Sequence, residues 1–99
     1  MAIKERSTGA LSAATTTSLD FGAPYVHVWK VRYVSSADVA TDFAIVDADS
    51  REVIDIELGD YTTAVNESRD FGVFKNPLSF SSAAAPSSGT YTITVWGEV

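Results

Sequence analysis

The 99-residue chain contains no cysteine. Disulfide bonds, thiol nucleophiles and thiolate metal sites are therefore all excluded. Histidine is also scarce: His27 is the only one, which excludes any metal cluster or catalytic arrangement that needs two imidazoles. A small domain without disulfides must be stabilised by its hydrophobic core, aided by contacts between subunits where these form.

Long apolar runs are missing too. No stretch approaches the roughly 20 consecutive apolar residues that a membrane-spanning helix requires, so we expect no membrane partner. The first six residues, Met-Ala-Ile-Lys-Glu-Arg, carry positive charge but no apolar segment follows them, so we expect no secretory signal. The protein is then expected to be made and kept in a cytoplasm, or exported without a cleaved leader.

Basic residues are few. The chain has seven Lys and Arg against thirteen Asp and Glu, a net charge of −6. The excess is concentrated in residues 35–70, where two arginines stand against ten acidic residues, a balance of −8. Such a segment repels phosphate groups, which argues against nucleic-acid binding. We interpret it as a solvated acidic surface that keeps the protein soluble.

Strand-forming sequence is what the chain has in abundance. Residues 25–34 and 90–96 are rich in β-branched and aromatic side chains, which is typical of strands rather than helices. Shorter strand patterns occur at 18–21, 43–46, 51–58, 71–75 and 78–80. About six to eight short strands with no convincing helical period predict an all-β fold, a single-domain antiparallel β-sandwich or jelly-roll-like barrel.

The N-terminal segment differs from the rest. Residues 7–17 are small and polar, with Leu11 as the single large apolar side chain. We therefore predict an extended N-terminal arm over residues 1–17 and a β-sandwich domain over residues 18–99. The arm is expected either to be disordered or to order against a neighbouring subunit. Residues 61–70 are ambiguous between a short helical turn and a long loop.

Two strand patterns predict which side chains share a face, because successive residues of a strand alternate. In the long strand, one face is expected to carry Tyr25, His27, Trp29, Val31 and Tyr33. In residues 51–58, Val53 is expected on the charged face and Ile54 on the apolar one. Both faces of the long strand are apolar near its start, which suits a central strand of a sandwich or a subunit interface.

Residues for catalysis are almost absent. His27 has apolar neighbours, and a packed or interfacial imidazole is the simpler interpretation than a general base. None of the twelve serines lies in a Gly-x-Ser-x-Gly motif, and no candidate base other than His27 is available to activate one. We predict that the protein is not an enzyme and has no catalytic residue and no cofactor.

The segment Asp47-Ala48-Asp49-Ser50 is the best metal-like fragment. Calcium prefers six to eight oxygen ligands, and alternating carboxylates on a turn supply several. The fragment lacks the glycine and the distant glutamate of an EF-hand loop. An acidic turn whose Asp side chains bond their own backbone explains it without a metal, so we predict no metal site and keep calcium as the alternative.

The aromatic residues offer two interpretations. Several of them exposed on one sheet would form a platform for sugars, whereas burial in the core or at an interface is the commoner outcome for Trp and Tyr in β-branched runs. We favour the second. The candidate interface residues are Leu11, Leu19, Phe21, Tyr25, Trp29, Tyr33 and Trp96.

The chain as a whole resembles the capsid decoration (cement) proteins of tailed-phage virions. The resemblance lies in the Ser/Thr/Ala-rich residues 7–17, the cysteine-free β domain, residues 34–43 and the ending of residues 88–96. It implies a structural protein that binds the outer capsid surface and reinforces it. The implied partners are the major capsid protein and the chain itself, commonly as a homotrimer. The implied location is the virion, after synthesis in the host cytoplasm.

Two other functions remain open at this point. A carbohydrate- or receptor-binding β module would use exposed aromatic residues. A tail or neck component of a virion shares the general features of the resemblance.

Overall fold

The computed structural model describes residues 3–11, 15–35, 39–40, 43–56, 60–61, 65–82 and 90–99. Within these ranges the chain is all-β and contains no helix. Its strands are β1 Ile3–Ser7, β2 Thr16–Leu19, β3 Tyr25–Ser35, β4 Val39–Ala40, β5 Phe43–Val46, β6 Glu52–Ile56, β7 Asp60–Tyr61, β8 Val65–Lys75, β9 Leu78–Ser82 and β10 Tyr91–Glu98. No helix in the described part of the chain could span a membrane.

Eight of the strands form two four-stranded antiparallel sheets. Sheet 1 has the order β1-β10-β3-β8 and sheet 2 has the order β2-β9-β5-β6. β4 and β7 pair separately as a two-stranded ribbon. The predicted single-domain, all-β, sandwich-like fold is confirmed; a jelly-roll connectivity is not.

The core lies between the two sheets and supplies the stability that disulfides cannot. Burying a large apolar side chain contributes about 1.5–3 kcal/mol, and both sheets contribute such residues. The buried apolar side chains are Leu19, Phe21, Val26, Val28, Val31, Tyr33, Ile45, Val53, Ile54, Phe74, Leu78, Phe80, Tyr91, Ile93 and Val95.

A bulge at Trp29 divides β3 into two halves. Val28 pairs with Gly97 of β10 and Lys30 pairs with Trp96, so Trp29 is an extra residue between them. An extra residue shifts the alternation by one position. Val26 and Val28 therefore face the core before the bulge, and Val31 and Tyr33 face it after the bulge. The prediction that Tyr25, His27, Trp29, Val31 and Tyr33 share one face is wrong for this reason.

The predicted N-terminal arm is not confirmed. Ile3–Ser7 is the edge strand of sheet 1, paired along its length with β10, and Leu11 bridges to Tyr91. The predicted boundary after residue 17 falls inside β2. None of the five side chains of β1 is buried, so backbone pairing rather than hydrophobic burial places this strand, which is why composition did not reveal it.

Two side chains also fasten β1 to the connection between β2 and β3. Lys4 Nζ donates to the carbonyl of Phe21 at 3.1 Å, and Arg6 Nε donates to the carbonyl of Asp20 at 2.6 Å. Asn76 holds the same connection from the other side, because its Oδ1 accepts the Phe21 N–H at 2.8 Å. The first strand is thus tied to sheet 1 and to the end of the sandwich.

The structure differs from three further predictions made from the sequence. Residues 65–70 belong to β8, so the helical turn or long loop expected over 61–70 is wrong there. Val53 and Ile54 are both buried, although they were expected on opposite faces. Ile45 pairs with Ile54 and Val46 pairs with Glu52, so Val53 is an extra residue that interrupts the alternation. The strand expected at 78–80 extends through Ser82 as β9, and 83–89 lie outside the described residues.

Candidate binding surface

The outer side of sheet 1, the side turned away from sheet 2, carries the exposed apolar side chains. Among the described residues, the exposed large apolar side chains are Ile3 (72% exposed), Tyr25 (60%), Val73 (50%) and Trp29 (40%). Strand pairing places Ile3, Glu98, His27 and Val73 in one row across all four strands of the sheet. The exposed large apolar side chains of the described residues therefore lie on one sheet face and are not scattered over the surface.

The β3–β8 half of this face contains a compact cluster, which we call the aromatic patch: Tyr25, His27, Trp29, Asp70 and Val73. The His27 and Trp29 rings lie with centroids 4.2 Å apart and planes inclined at 31°. His27 Nε2 lies 2.6 Å from Asp70 Oδ1. A hydrogen bond on one side and a ring contact on the other fix the imidazole in place.

Asp70 is held in turn by its own backbone. Its Oδ1 also accepts the N–H of Gly72 at 2.9 Å. The hydrogen bond with His27 lowers the pKa of Asp70 below its usual value; partial desolvation opposes this, while the charge of His27 and the Gly72 N–H assist it. The carboxylate nevertheless remains well exposed, at 59% of its side-chain surface.

A bulge in β8 explains how these side chains come together. Val28 pairs with Gly72 and Lys30 pairs with Ser68, so three residues of β8 lie opposite Trp29 alone. Gly72 has a φ of 110°, a conformation that side-chain-bearing residues rarely adopt. Bulges of this kind redirect side chains, and this one brings Asp70 to His27. Asp70 was not predicted from the sequence; the Asp-Phe-Gly triplet at 70–72, a carboxylate two residues before a glycine, is a local signal of this bulge.

Cations cover two other rings near the patch. Lys30 Nζ lies 4.8 Å from the centroid of the Trp96 ring. The Arg69 guanidinium lies 4.3 Å from the centroid of the Phe71 ring. Such contacts are favourable by about 0.5–1 kcal/mol at exposed sites. They leave Trp29 and Tyr25 as the open aromatic surfaces of this half of the face.

The seven candidate interface residues are distributed over three environments. Tyr25 and Trp29 are exposed on the outer face of sheet 1. Trp96 is half-buried on the same face beneath Lys30, and Leu11 is half-buried against the core. Leu19, Phe21 and Tyr33 lie in the core between the two sheets, so they present no surface to a partner.

His27 has a carboxylate partner but no serine partner among the described residues. The pair sits on an open sheet surface next to Trp29 and Val73. A nucleophilic mechanism requires a hydroxyl within hydrogen-bonding reach of the base. Both members of the pair reach the open surface, where they can hydrogen-bond to a ligand.

The acidic turn at 47–50 uses its first carboxylate internally. Asp47 is buried, and its Oδ1 accepts the N–H groups of Asp49 at 2.9 Å and Arg51 at 2.8 Å. Its Oδ2 accepts the N–H of Lys75 at 3.2 Å. Asp49 instead contacts Lys75 Nζ at 3.6 Å. Within the described ranges no three His, Asp or Glu side chains converge as metal ligands.

Burial and hydrogen bonding act in opposite directions on Asp47. Burial raises the pKa of its carboxyl, but the backbone N–H groups of Arg51, Lys75 and Asp49 outweigh burial, and the pKa lies below the ordinary value of 3.8. The charged form is therefore the one that the folded protein favours.

Acid is consequently expected to remove the stabilisation by Asp47. Because the folded pKa lies below that of the unfolded chain, the unfolded chain takes up the proton first as pH falls. The stability advantage of the native protein over Asp47→Asn should be constant at neutral pH and should shrink below about pH 4. Urea unfolding at a series of pH values measures it. Asp49→Asn is the matched control; an advantage independent of pH down to about pH 2 would contradict the assignment.

No protein-family model matches this chain, and comparison with the curated proteins finds no similar sequence.

Proposed function

We propose that this chain is a non-catalytic structural protein of a virion that binds the outer capsid surface and reinforces it, as a decoration protein. The observation that carries the proposal is the concentration of exposed apolar side chains on the outer face of sheet 1. A reinforcing protein needs an adhesive face rather than a cleft, and a lattice repeats each contact many times. The resemblance of the sequence to capsid decoration proteins supplies the virion context.

We place the contact with the capsid protein on the β1 side of that face. Ile3 is the most exposed of the large apolar side chains in the described ranges, at 72%. β1 is an edge strand, so one row of its backbone N–H and C=O groups is available to a partner. The exposed carboxylate of Asp49 lies in the turn at 47–50 between two strands of sheet 2 and not on β1.

Replacing Ile3 with glutamate is expected to reduce capsid occupancy at least about tenfold, because a charge is then desolvated in an apolar contact. The side chain is exposed in the free protein, so folding should be unaffected. Purified chain would be mixed with undecorated capsids of the virus that encodes it, and the bound copies counted after sedimentation. Thr16→Glu, an exposed strand position of sheet 2, is the matched control.

Each outcome separates the candidates. Loss with Ile3→Glu and retention with Thr16→Glu would support the β1 contact. Equal occupancy for both variants would overturn it. Electron microscopy of particles carrying gold-labelled chain would distinguish a capsid protein from a tail or neck component. The label on a capsid protein would be spread over the shell, whereas the label on a tail or neck component would gather at one vertex.

A further inference from the structure

We infer that the aromatic patch on the β3–β8 half of sheet 1 is a binding site for an uncharged saccharide. The inference rests on the proposed function in one respect, that the chain attaches by its surfaces and performs no catalysis. It adds a second site: β1 at the edge of sheet 1 would hold the capsid, and the aromatic patch on the β3–β8 half of the sheet would remain accessible to the saccharide.

Trp29 provides the surface on which a sugar ring would stack. Trp29 is backed on one side by the His27 ring at 4.2 Å, and 40% of the residue is exposed. An indole held in this way presents a fixed apolar plane, which suits the C–H face of a pyranose ring and costs little side-chain entropy on binding. Tyr25 lies four residues earlier on the same side of β3, roughly 13 Å away at the rise of a strand, which is room for a short oligosaccharide.

Asp70 provides the polar group beside this surface. Asp70 Oδ1 is already engaged by His27 and Gly72, which fixes the plane of the carboxylate. In the described part of the chain Oδ2 accepts no hydrogen bond, and the side chain is 59% exposed. A fixed carboxylate oxygen beside an aromatic plane is a strong acceptor for a sugar hydroxyl. Aromatic stacking combined with a few placed polar groups is the usual composition of a small-ligand site.

The charges around the patch favour a neutral ligand over a charged one. Charges of both signs lie on this face: Glu5, Asp70 and Glu98 are acidic, and Lys30, Arg32 and Lys75 are basic. A strongly cationic or anionic partner would meet like charge on one side of the patch. An uncharged polyhydroxyl ligand uses both donors and acceptors without that penalty.

A protein partner fits the patch less well. The core of a protein–protein interface is depleted of charged residues, whereas here a His–Asp pair lies directly beside the exposed Trp29 ring. A single sugar site of this kind binds weakly. Many copies on one particle would raise the apparent affinity without any new contact.

Titration with neutral hexasaccharides, followed by NMR, tests the inference. Cellohexaose and maltohexaose would be added to about 10 mM, and the indole N–H signals of Trp29 and Trp96 recorded. We expect a saturable shift of the Trp29 signal and little change at Trp96, whose ring lies under Lys30. Trp96 is therefore an internal control within the same molecule.

Four variants test the individual contacts of the patch. Asp70→Asn is expected to weaken binding about tenfold by removing the charged acceptor, while Asp49→Asn, an exposed carboxylate outside the patch, should bind normally. Trp29→Ala should abolish binding, read from the backbone signals of Tyr25 and Val73, and Trp29→Phe should restore part of it. Unchanged thermal unfolding midpoints confirm that the variants are folded.

Other results would contradict the inference. No shift at Trp29, equal shifts at Trp29 and Trp96, or full binding by Asp70→Asn would overturn the saccharide site. Binding of a hyaluronan hexasaccharide with none of the neutral probes would replace the ligand class with an anionic one. Loss of capsid binding in Trp29→Ala would assign the patch to a protein partner. The proposed function fails separately, if the unmodified chain does not sediment with the capsids.

Discussion

Replacing Asp47 with alanine is expected to destabilise the fold by about 3 kcal/mol, since three partly buried backbone donors lose their acceptor and each such loss costs about 1 kcal/mol. The carboxylate accepts three backbone N–H groups, at 2.8 Å from Arg51, 2.9 Å from Asp49 and 3.2 Å from Lys75. Two of these donors lie in the turn between β5 and β6, and the third closes β8 of the other sheet. The side chain therefore joins the two sheets at one end of the sandwich.

Neighbouring backbone bonds depend on the same turn. The N–H of Ala48 donates to the carbonyl of Lys75 at 3.0 Å, and the N–H of Asp47 donates to the carbonyl of Arg51 at 2.8 Å. Ser50 has a φ of 62°, which is unfavourable for a residue with a side chain. The carboxylate helps to hold this conformation, so its loss is expected to loosen the turn as well as the bonds it makes.

Urea or thermal unfolding at neutral pH measures the effect. Asp49→Ala is the matched control, because the Asp49 side chain is exposed and its one ion pair in the described part of the chain is with Lys75 Nζ, at 3.6 Å; its effect should stay within about 0.5 kcal/mol. An Asp47→Ala variant as stable as Asp49→Ala would show that water replaces the carboxylate at no cost, and the cross-sheet role would be wrong.

Replacing Gly97 with alanine is the second large effect, an expected loss of about 2–3 kcal/mol by overpacking. Gly97 lies on the core side of β10, and an added Cβ would collide with Val26 Cγ2 and press on Phe21 Cε2 and the His27 carbonyl, each at 3.4 Å. Val26 and Phe21 are fully buried, so neither can move aside without disturbing the packing between the sheets.

A double-mutant cycle with Val26→Ala isolates the cause. Val26→Ala alone leaves a cavity and is itself destabilising, but it removes the methyl group that the new Cβ would meet. The double variant should therefore be clearly more stable than the sum of the two single effects predicts, with a coupling of about 1 kcal/mol or more. Strictly additive effects would show that the glycine is required for another reason.

The sequence by itself determined the class of fold and most of its strands. Runs of β-branched and aromatic residues over 25–34 and 90–96 correspond to β3 and β10, and residues 43–46 coincide with β5. β-branched and aromatic side chains suit a pleated, half-buried surface, so the local pattern was sufficient to predict these strands. The absence of cysteine likewise determined that the core must stabilise the domain.

The tertiary structure alone decided which side chains became surface. The alternation in β3 depends on whether Trp29 is an extra residue, and that is set by the pairing with β10 and β8 rather than by β3 itself. Leu19, Phe21 and Tyr33 are as apolar as Trp29, yet they are buried and Trp29 is not. A one-residue bulge reverses every later position, so composition could not predict this outcome.

Backbone pairing was the other feature that the sequence did not disclose. β1 has no buried side chain and is placed by hydrogen bonds to β10, while residues 65–70 join β8 despite their polar composition. Asp70 reaches His27, 43 positions away, only because β8 lies beside β3. Local patterns record the preferences of single strands, whereas contacts between strands that are distant in the chain arise when the sheets assemble.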